Sequence, residues 1–460
     1  MTRRILVLAL VIGVVFALLS ARAPGVLPGL VAITRAQAPP QTEFDRQIVQ
    51  NMQQMLDEGR RVFRFDTFGD EAWWSDTLRL HQAIAGARNG GVGPGVSPRT
   101  ALQVGLKVDM DALPGDLVAQ VRAGQVNLDD PATTLALLKL NAVVGVIGAF
   151  RDDGSLRSIG LTCAVCHSTV DNAFMPGIGH RLDGWGNRDL NVGAIVALAP
   201  NLRPIADLLG VDVDTVKKVL NSWGPGKFDA ILDKDGKAFR PDGKPAAVII
   251  PNAFGLAGVN EHTWGAGWGT VSYWNAFVAN TELNGVGVFF DPRLNNPRKY
   301  PVAARSGRWN IRNRTDMVSS KLAALHFYQL AIPSPKPPDG SFNREAAARG
   351  QAVFTGKARC ATCHVPPLFT EPGWGAHTGR EIGIDEFQAQ RSPGNRYRTP
   401  PLRGLWTRIR GTHPAAGGPG FYHDGRFADL RAVIEHYNRH FRLNLTEQEK
   451  NDLVEYLKSL

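Results

Sequence analysis

Cys360-Ala361-Thr362-Cys363-His364 and its counterpart Cys163-Ala164-Val165-Cys166-His167 together use all four cysteines of a 460-residue chain, and each pair is followed directly by histidine. Two thiols at this spacing can add to the two vinyl groups of one haem while the adjoining histidine reaches the iron. Both stretches are therefore read as covalent haem c sites. Cys163, Cys166 and His167 bind the first cofactor and Cys360, Cys363 and His364 the second, with His167 and His364 as axial metal ligands. A redox CxxC pair would not need the histidine, and a four-cysteine zinc site would have to join pairs roughly 200 residues apart.

Working outward from the second motif, Asn343 is an N-cap for an Ala-rich helical stretch from Arg344 to Phe354 that runs into Cys360. Thr446-Glu447-Gln448-Glu449 is a capping box, and Leu453, Val454, Leu457 and Leu460 recur on one helical face behind it. Gly350, without a side chain, lets the two helices cross closely. A helix before CxxCH crossing a C-terminal helix resembles the class I cytochrome c fold. Ala331 to Gly340 carries four prolines and reads as a stiff linker, which divides the mature chain into an N-terminal haem domain, 39–334, and a C-terminal cytochrome c domain, 335–460.

Upstream, Gly59-Arg60-Arg61-Val62-Phe63 opens as Gly350 to Phe354 does, but about a hundred residues separate it from Cys163. That insertion carries helical signals, among them Asp129 or Asp130 capping the apolar run from Ala132 to Phe150. The expected fold is mainly α, with two cytochrome c-like haem domains, the first enlarged by a helical insertion.

The chain begins with Arg3 and Arg4, an apolar stretch from Ile5 to Leu19, and Ala36-Gln37-Ala38, a small-x-small site. Residues 1–38 read as a signal peptide for export to the periplasm, the membrane being reached only through this segment if it stays uncleaved. The segment holds four Arg and no acids, so its removal lowers the formal charge of +10 by four. No Lys/Arg run with interleaved aromatics points to nucleic acid, and none is expected as a partner. A small redox partner of cytochrome or cupredoxin type fits the residual charge equally well.

Further motifs resemble the bacterial dihaem cytochrome c peroxidase superfamily, which includes the methylamine-dehydrogenase maturation enzyme and the dihaem rubber oxygenases. They are Leu161-Thr162 before the first CxxCH, Gly179-His180, Gly186-Asn187-Arg188-Asp189-Leu190-Asn191, Arg398-Thr399-Pro400-Pro401-Leu402-Arg403-Gly404 and Phe421-Tyr422-His423-Asp424-Gly425-Arg426-Phe427-Ala428-Asp429-Leu430. The resemblance implies that His180 is either the releasable sixth ligand of the first haem or its supporting neighbour, with Arg188 beside it as a second catalytic candidate. It places the sixth ligand of the second haem at Tyr437, fourteen residues beyond the His-Asp-Gly motif, where peroxidases carry methionine. His436 next door is the better generic iron ligand, and His423 and His440 are further candidates. Glu282 in Asn280-Thr281-Glu282-Leu283-Asn284 loosely resembles the peroxidases' Asn-Pro-x-Glu-Met, whose acid assists proton transfer, and the favoured reading is a solvated loop carboxylate. Trp264, Trp268 and Trp274 read as aromatic cover for cofactor surface.

Taken together, these readings imply an exported dihaem c-type cytochrome of peroxidase-like oxidoreductase character. Electrons enter from a small donor at the C-terminal haem and reach peroxide or dioxygen at the N-terminal one. The alternatives are a non-catalytic electron carrier or haem subunit of a larger redox complex, and oxidative cleavage of a polymer or terpenoid.

Overall fold

The computed structural model describes residues 42–409 and 420–460, and the expected signal peptide lies outside them. By its internal packing the chain forms two compact units, Met1–Asn51 and Met52–Leu460. Of the first, the described residues 42–51 are exposed, and 43–51 are helical. The second holds both CxxCH motifs.

The chain is mainly α, and its strands form only two-stranded sheets among the described residues. Asn343 accepts from the Ala346 amide at 2.9 Å and starts the helix Arg344–Thr355. Both bonds of the capping box at Thr446 and Glu449 open the helix Glu447–Ser459. The two helices cross at Gly350, where an added Cβ would lie 2.0 Å from the Asp452 carbonyl oxygen. Phe354, one turn on, meets the Tyr456 ring at 5.2 Å.

The same device recurs before the first motif. An added Cβ on Gly59 of the helix Glu43–Phe65 would lie 2.0 Å from the Ala324 carbonyl oxygen of the helix Leu322–Ala331. One turn on, Phe63 meets Tyr328 at 5.6 Å. Glycine, phenylalanine and tyrosine thus take the same places in two crossings, about three hundred residues apart in sequence. The segment from Ile332 onward leaves the first crossing without regular structure and is pinned by the Trp406 indole, which donates to the Pro335 carbonyl at 3.1 Å.

Gly350→Ala is expected to destabilise the protein by about 1–3 kcal/mol, because a methyl group cannot share the space of a carbonyl oxygen. The better helix propensity of alanine, about 1 kcal/mol, offsets only part of this. An unchanged urea-unfolding midpoint would mean that the crossing has slack.

The insertion differs from its expectation. Asp130 does cap a helix, through the Ala132 amide at 2.9 Å, but that helix ends at Lys139. Asn141 takes a left-handed φ of 52° and the chain turns back as an antiparallel hairpin, Val146–Phe150 with Leu156–Leu161. Asparagine tolerates this φ, and the β-branched residues and glycines beyond it favour a pleated ribbon over a continued helix. The hairpin delivers the chain to Cys163.

Candidate functional site

Cys163 leads into one turn of helix, Ala164–His167, behind the hairpin. Gly145, at φ 79°, approaches so closely that a Cβ there would lie 2.1 Å from the Val165 amide nitrogen. Cys163, Cys166 and His167 face a largely apolar cavity of about 260 Å³. Burial pushes both thiols up to about 12 and His167 down to about 4. A zinc site or a reactive redox pair needs thiolates, which these surroundings disfavour. Uncharged thioether links and a neutral imidazole suit them. The Nδ1 atom of His167 is 3.1 Å from the Pro251 carbonyl oxygen, which orients the ring and leaves Nε2 for a metal.

The other walls of the cavity come from segments far apart in sequence. Trp264 and Trp274 line it, the Trp264 indole donating to the Ile249 carbonyl at 2.8 Å, while Trp268 stacks on Trp274 from behind at 5.6 Å. Asn275 Nδ2 and Arg398 Nε belong to lining residues and are buried donors without a hydrogen-bond partner. Orphaned polar atoms around an apolar void fit a large flat ligand that brings its own carboxylates. Haem is such a ligand.

Glu282 ends a π-helical turn, Val278–Glu282, and opens on the same cavity. Insertions of this kind re-aim side chains and recur at functional sites. Its Oε1 is tied to Lys234 and lies 3.1 Å from Thr281 Oγ1, whereas Oε2 accepts no hydrogen bond among the described residues. Burial pushes its carboxyl above the usual carboxylate range, with Lys234 opposing the rise. It is therefore not a solvated loop acid.

His180 lies elsewhere. It is exposed on the strand edge before Arg181–Asp183, its Nδ1 is 2.8 Å from Asp111 Oδ1, and it is not among the cavity-lining residues. The Asp111 carboxylate raises its proton affinity. Arg188 sits one layer behind the cavity wall, donating to Asn252 Oδ1 at 3.2 Å. Its Nε and Nη1 atoms are buried without a partner, as is Nε of Arg408, whose nearby charge repels it. Unpaired buried cations of this kind also call for an anion.

At the second motif Cys360–Thr362 forms a tight turn, and His364 Nδ1 is 3.0 Å from the Phe369 carbonyl oxygen. Burial pushes the Cys360 thiol up to about 12. Cys363, Glu371 and His377 bring one ligand atom each within 4.8 Å of one another, Cys363 being one of the cysteines expected to bind haem.

The four candidate sixth ligands separate here. Tyr437, on the helix Leu430–His440, faces the second motif closely enough for Cys360 and Cys363 to act on its hydroxyl, which burial pushes up to about 12. His436 turns away, with Nε2 2.8 Å from the Ile382 carbonyl oxygen and its ring stacked on His440 at 6.0 Å. His440 Nε2 is likewise 3.0 Å from the Glu381 carbonyl oxygen. His423 is buried, stacks on Tyr397 at 5.1 Å, and is pushed down to about 4 by burial. All four thus have neighbours of their own, Tyr437 stacking on Phe441 at 5.6 Å and interacting with the Tyr422 hydroxyl. Periodicity could not have separated them, because His436 and Tyr437 are adjacent in sequence and their directions depend on how the helix docks.

Over 161 residues the chain is 32% identical to the methylamine utilization protein MauG of Methylorubrum extorquens, a match covering 30% of this chain and 43% of that protein. The match thus spans less than half the length of that relative, and it supports the resemblance to the dihaem cytochrome c peroxidase superfamily. No family model matches the chain. Two solved structures share 18% and 21% identity. They are hydrazine synthase of Kuenenia stuttgartiensis, covering 49% of this chain and 76% of its own, and a MauG-like protein associated with microbial copper homeostasis, covering 50% and 80%. The TM-score is 0.30 for both, too low to bear on the site.

Proposed function

We propose that this chain carries two covalently attached haem c groups and transfers electrons from a small donor, through the C-terminal haem, to peroxide or dioxygen at the N-terminal haem. One observation carries the reading: the two motifs stand in unequal surroundings. Cys163, Cys166 and His167 open on an apolar cavity that Glu282 also lines, whereas the buried Tyr437 lies within electrostatic reach of Cys360 and Cys363. The bound haems would supply redox-active iron and, at an open face, the activation of an O–O bond.

Each protein group then has a part. His167 and His364, oriented by the Pro251 and Phe369 carbonyl groups, would hold the two irons. Tyr437, in preference to His436, His423 or His440, would be the further ligand of the second haem. Arg188, Arg398 and Arg408 would hold the haem carboxylates with their unpaired nitrogens. Glu282 would hold and move a proton at its carboxylate, in place of the catalytic candidates His180 and Arg188. His180, paired with Asp111 outside the cavity, takes no part in the proton transfer.

The repeated glycine, phenylalanine and tyrosine crossing supports the division into haem domains 39–334 and 335–460. Export of residues 39–460 to the periplasm and a donor of cytochrome or cupredoxin type complete the reading.

The test is a haem-to-protein ratio with absorption and paramagnetic resonance spectra of the diferric and half-reduced forms. Two haems per chain are expected, one high-spin and reactive toward peroxide, the other low-spin. Two low-spin haems inert to peroxide would overturn the enzyme reading in favour of an electron carrier. One haem or none would overturn the whole.

A further inference from the structure

The carboxyl group of Glu282 is held from behind by a lysine that no sequence motif marks. The Lys234 side chain is wholly buried. Its ammonium donates to Asp233 Oδ1 at 2.6 Å, to Thr281 Oγ1 at 2.9 Å and to Glu282 Oε1, and it lies 4.4 Å from the centre of the Phe277 ring. Behind it, Arg308 pairs with Asp233 Oδ2 at 2.8 Å and donates to Asn284 Oδ1 at 2.8 Å. Two cations thus face two carboxylates in a largely buried cluster. Glu282 Oε2 has no hydrogen-bond partner among the described residues, and Glu282 lines the cavity.

We propose that Lys234 is a positioning residue for Glu282: with Asp233 on its far side, it sets the pH at which a ligand entering the first haem site exchanges a proton with that carboxylate. The inference rests on the proton-transfer role given to Glu282 above.

The geometry supplies both signs. Lys234, in direct contact, stabilises the ionised carboxylate, whereas Asp233, one position before it in the helix Leu232–Asp235, opposes ionisation by like charge. Arg308 acts from the chain beyond the helix Pro301–Ser306. Across the cavity stand Cys163, Cys166, His167, His262 and Arg398. Of these, the cysteines carry no charge as thioethers, and burial keeps both histidines neutral, His262 down to about 3. Lys234 and Asp233 are thus the pair through which the protein can adjust Glu282 without altering the cavity wall.

The experiment uses the full, haem-loaded protein with cyanide as the probe. Cyanide enters as a weak acid and must lose its proton on binding. Its association rate is followed against pH, together with the infrared carbonyl band of a protonated carboxyl group. The unaltered protein is expected to show one inflection above the usual carboxylate range, absent in Glu282→Gln. Lys234→Met should move it upward by about 1–3 pH units and Asp233→Asn downward, while Lys234→Arg keeps it close to its original place. A structural role alone would not move it in opposite directions.

An inflection that survives Glu282→Gln would overturn the role of Glu282 itself. One that vanishes in Glu282→Gln but stays put in Lys234→Met and Asp233→Asn would overturn the Lys234 proposal alone. The haem-to-protein ratio identifies any variant that has failed to fold. Should Lys234→Met be one, Asp233→Asn decides, since an inflection that does not fall there overturns the proposal.

Discussion

Glu282→Gln is expected to slow peroxide turnover by about 10²–10⁴-fold, the usual contribution of a positioned acid–base group. The amide keeps the shape and the Lys234 contact but can no longer take up or release a proton. Because burial raises Glu282 above the usual carboxylate range, against the pull of Lys234, it holds a proton more readily than an exposed carboxylate, which suits a group that serves as base and then as acid. Haem content and the resting absorption spectrum should stay as they were, so that the loss falls on the proton-transfer step. Turnover equal to that of the unaltered protein would remove Glu282 from the mechanism. The same assay on His180→Gln separates the two candidates. With its ring outside the cavity and bonded to Asp111, that change should leave the O–O step intact.

Arg391→Leu is expected to cost about 3–5 kcal/mol, the penalty for leaving buried charges without their partner. Arg391 is wholly buried. Its guanidinium donates to Asp229 at 2.9 and 3.1 Å, to Asp235 at 2.7 and 3.1 Å, and to the Ala246 carbonyl at 3.3 Å. Three stretches of chain thereby meet on one cation. Burial pushes Asp229 upward against the opposing pull of Arg391, and removing the arginine leaves two carboxylates with no counter-charge.

Chemical denaturation followed by haem absorption measures the loss. Combining Arg391→Leu with Asp229→Asn and Asp235→Asn should restore much of it, because an uncharged set no longer carries the desolvation penalty of bare carboxylates. A single variant as stable as the parent would refute the estimate. Since Asp235 closes the helix that carries Asp233 and Lys234, the damaged protein should also show a displaced Glu282 inflection.

Local chemistry made part of this protein legible in advance. Two CxxCH sequences carry the expectation of covalent haem because thiol spacing and the adjoining histidine are properties of five consecutive residues. Asn343 and the Thr446 capping box mark two helix starts because caps act within one turn, and Gly350 marks a crossing because only a missing side chain admits a carbonyl so close. The helical reading of Ala132 to Phe150 went astray beyond Lys139. An apolar run carries no period that separates helix from hairpin, and the decision fell to Asn141 and the β-branched residues after it.

The cavity belongs to tertiary structure. Its walls are drawn from Trp74 to Arg398, so no local pattern could say that Glu282 faces inward, that Lys234 stands behind it, or that His180 stays outside. The direction of neighbouring side chains on one helix is also a matter of docking: Tyr437 feels Cys360 and Cys363, while His436 Nε2 lies against the Ile382 carbonyl. The repeated crossing lies between these cases. Gly59 and Phe63 stand in the sequence as a faint echo of Gly350 and Phe354, but their partners Ala324 and Tyr328 lie more than two hundred residues away. Only folding brings the pair together, because a close helix crossing is a property of two surfaces and each stretch of sequence specifies one.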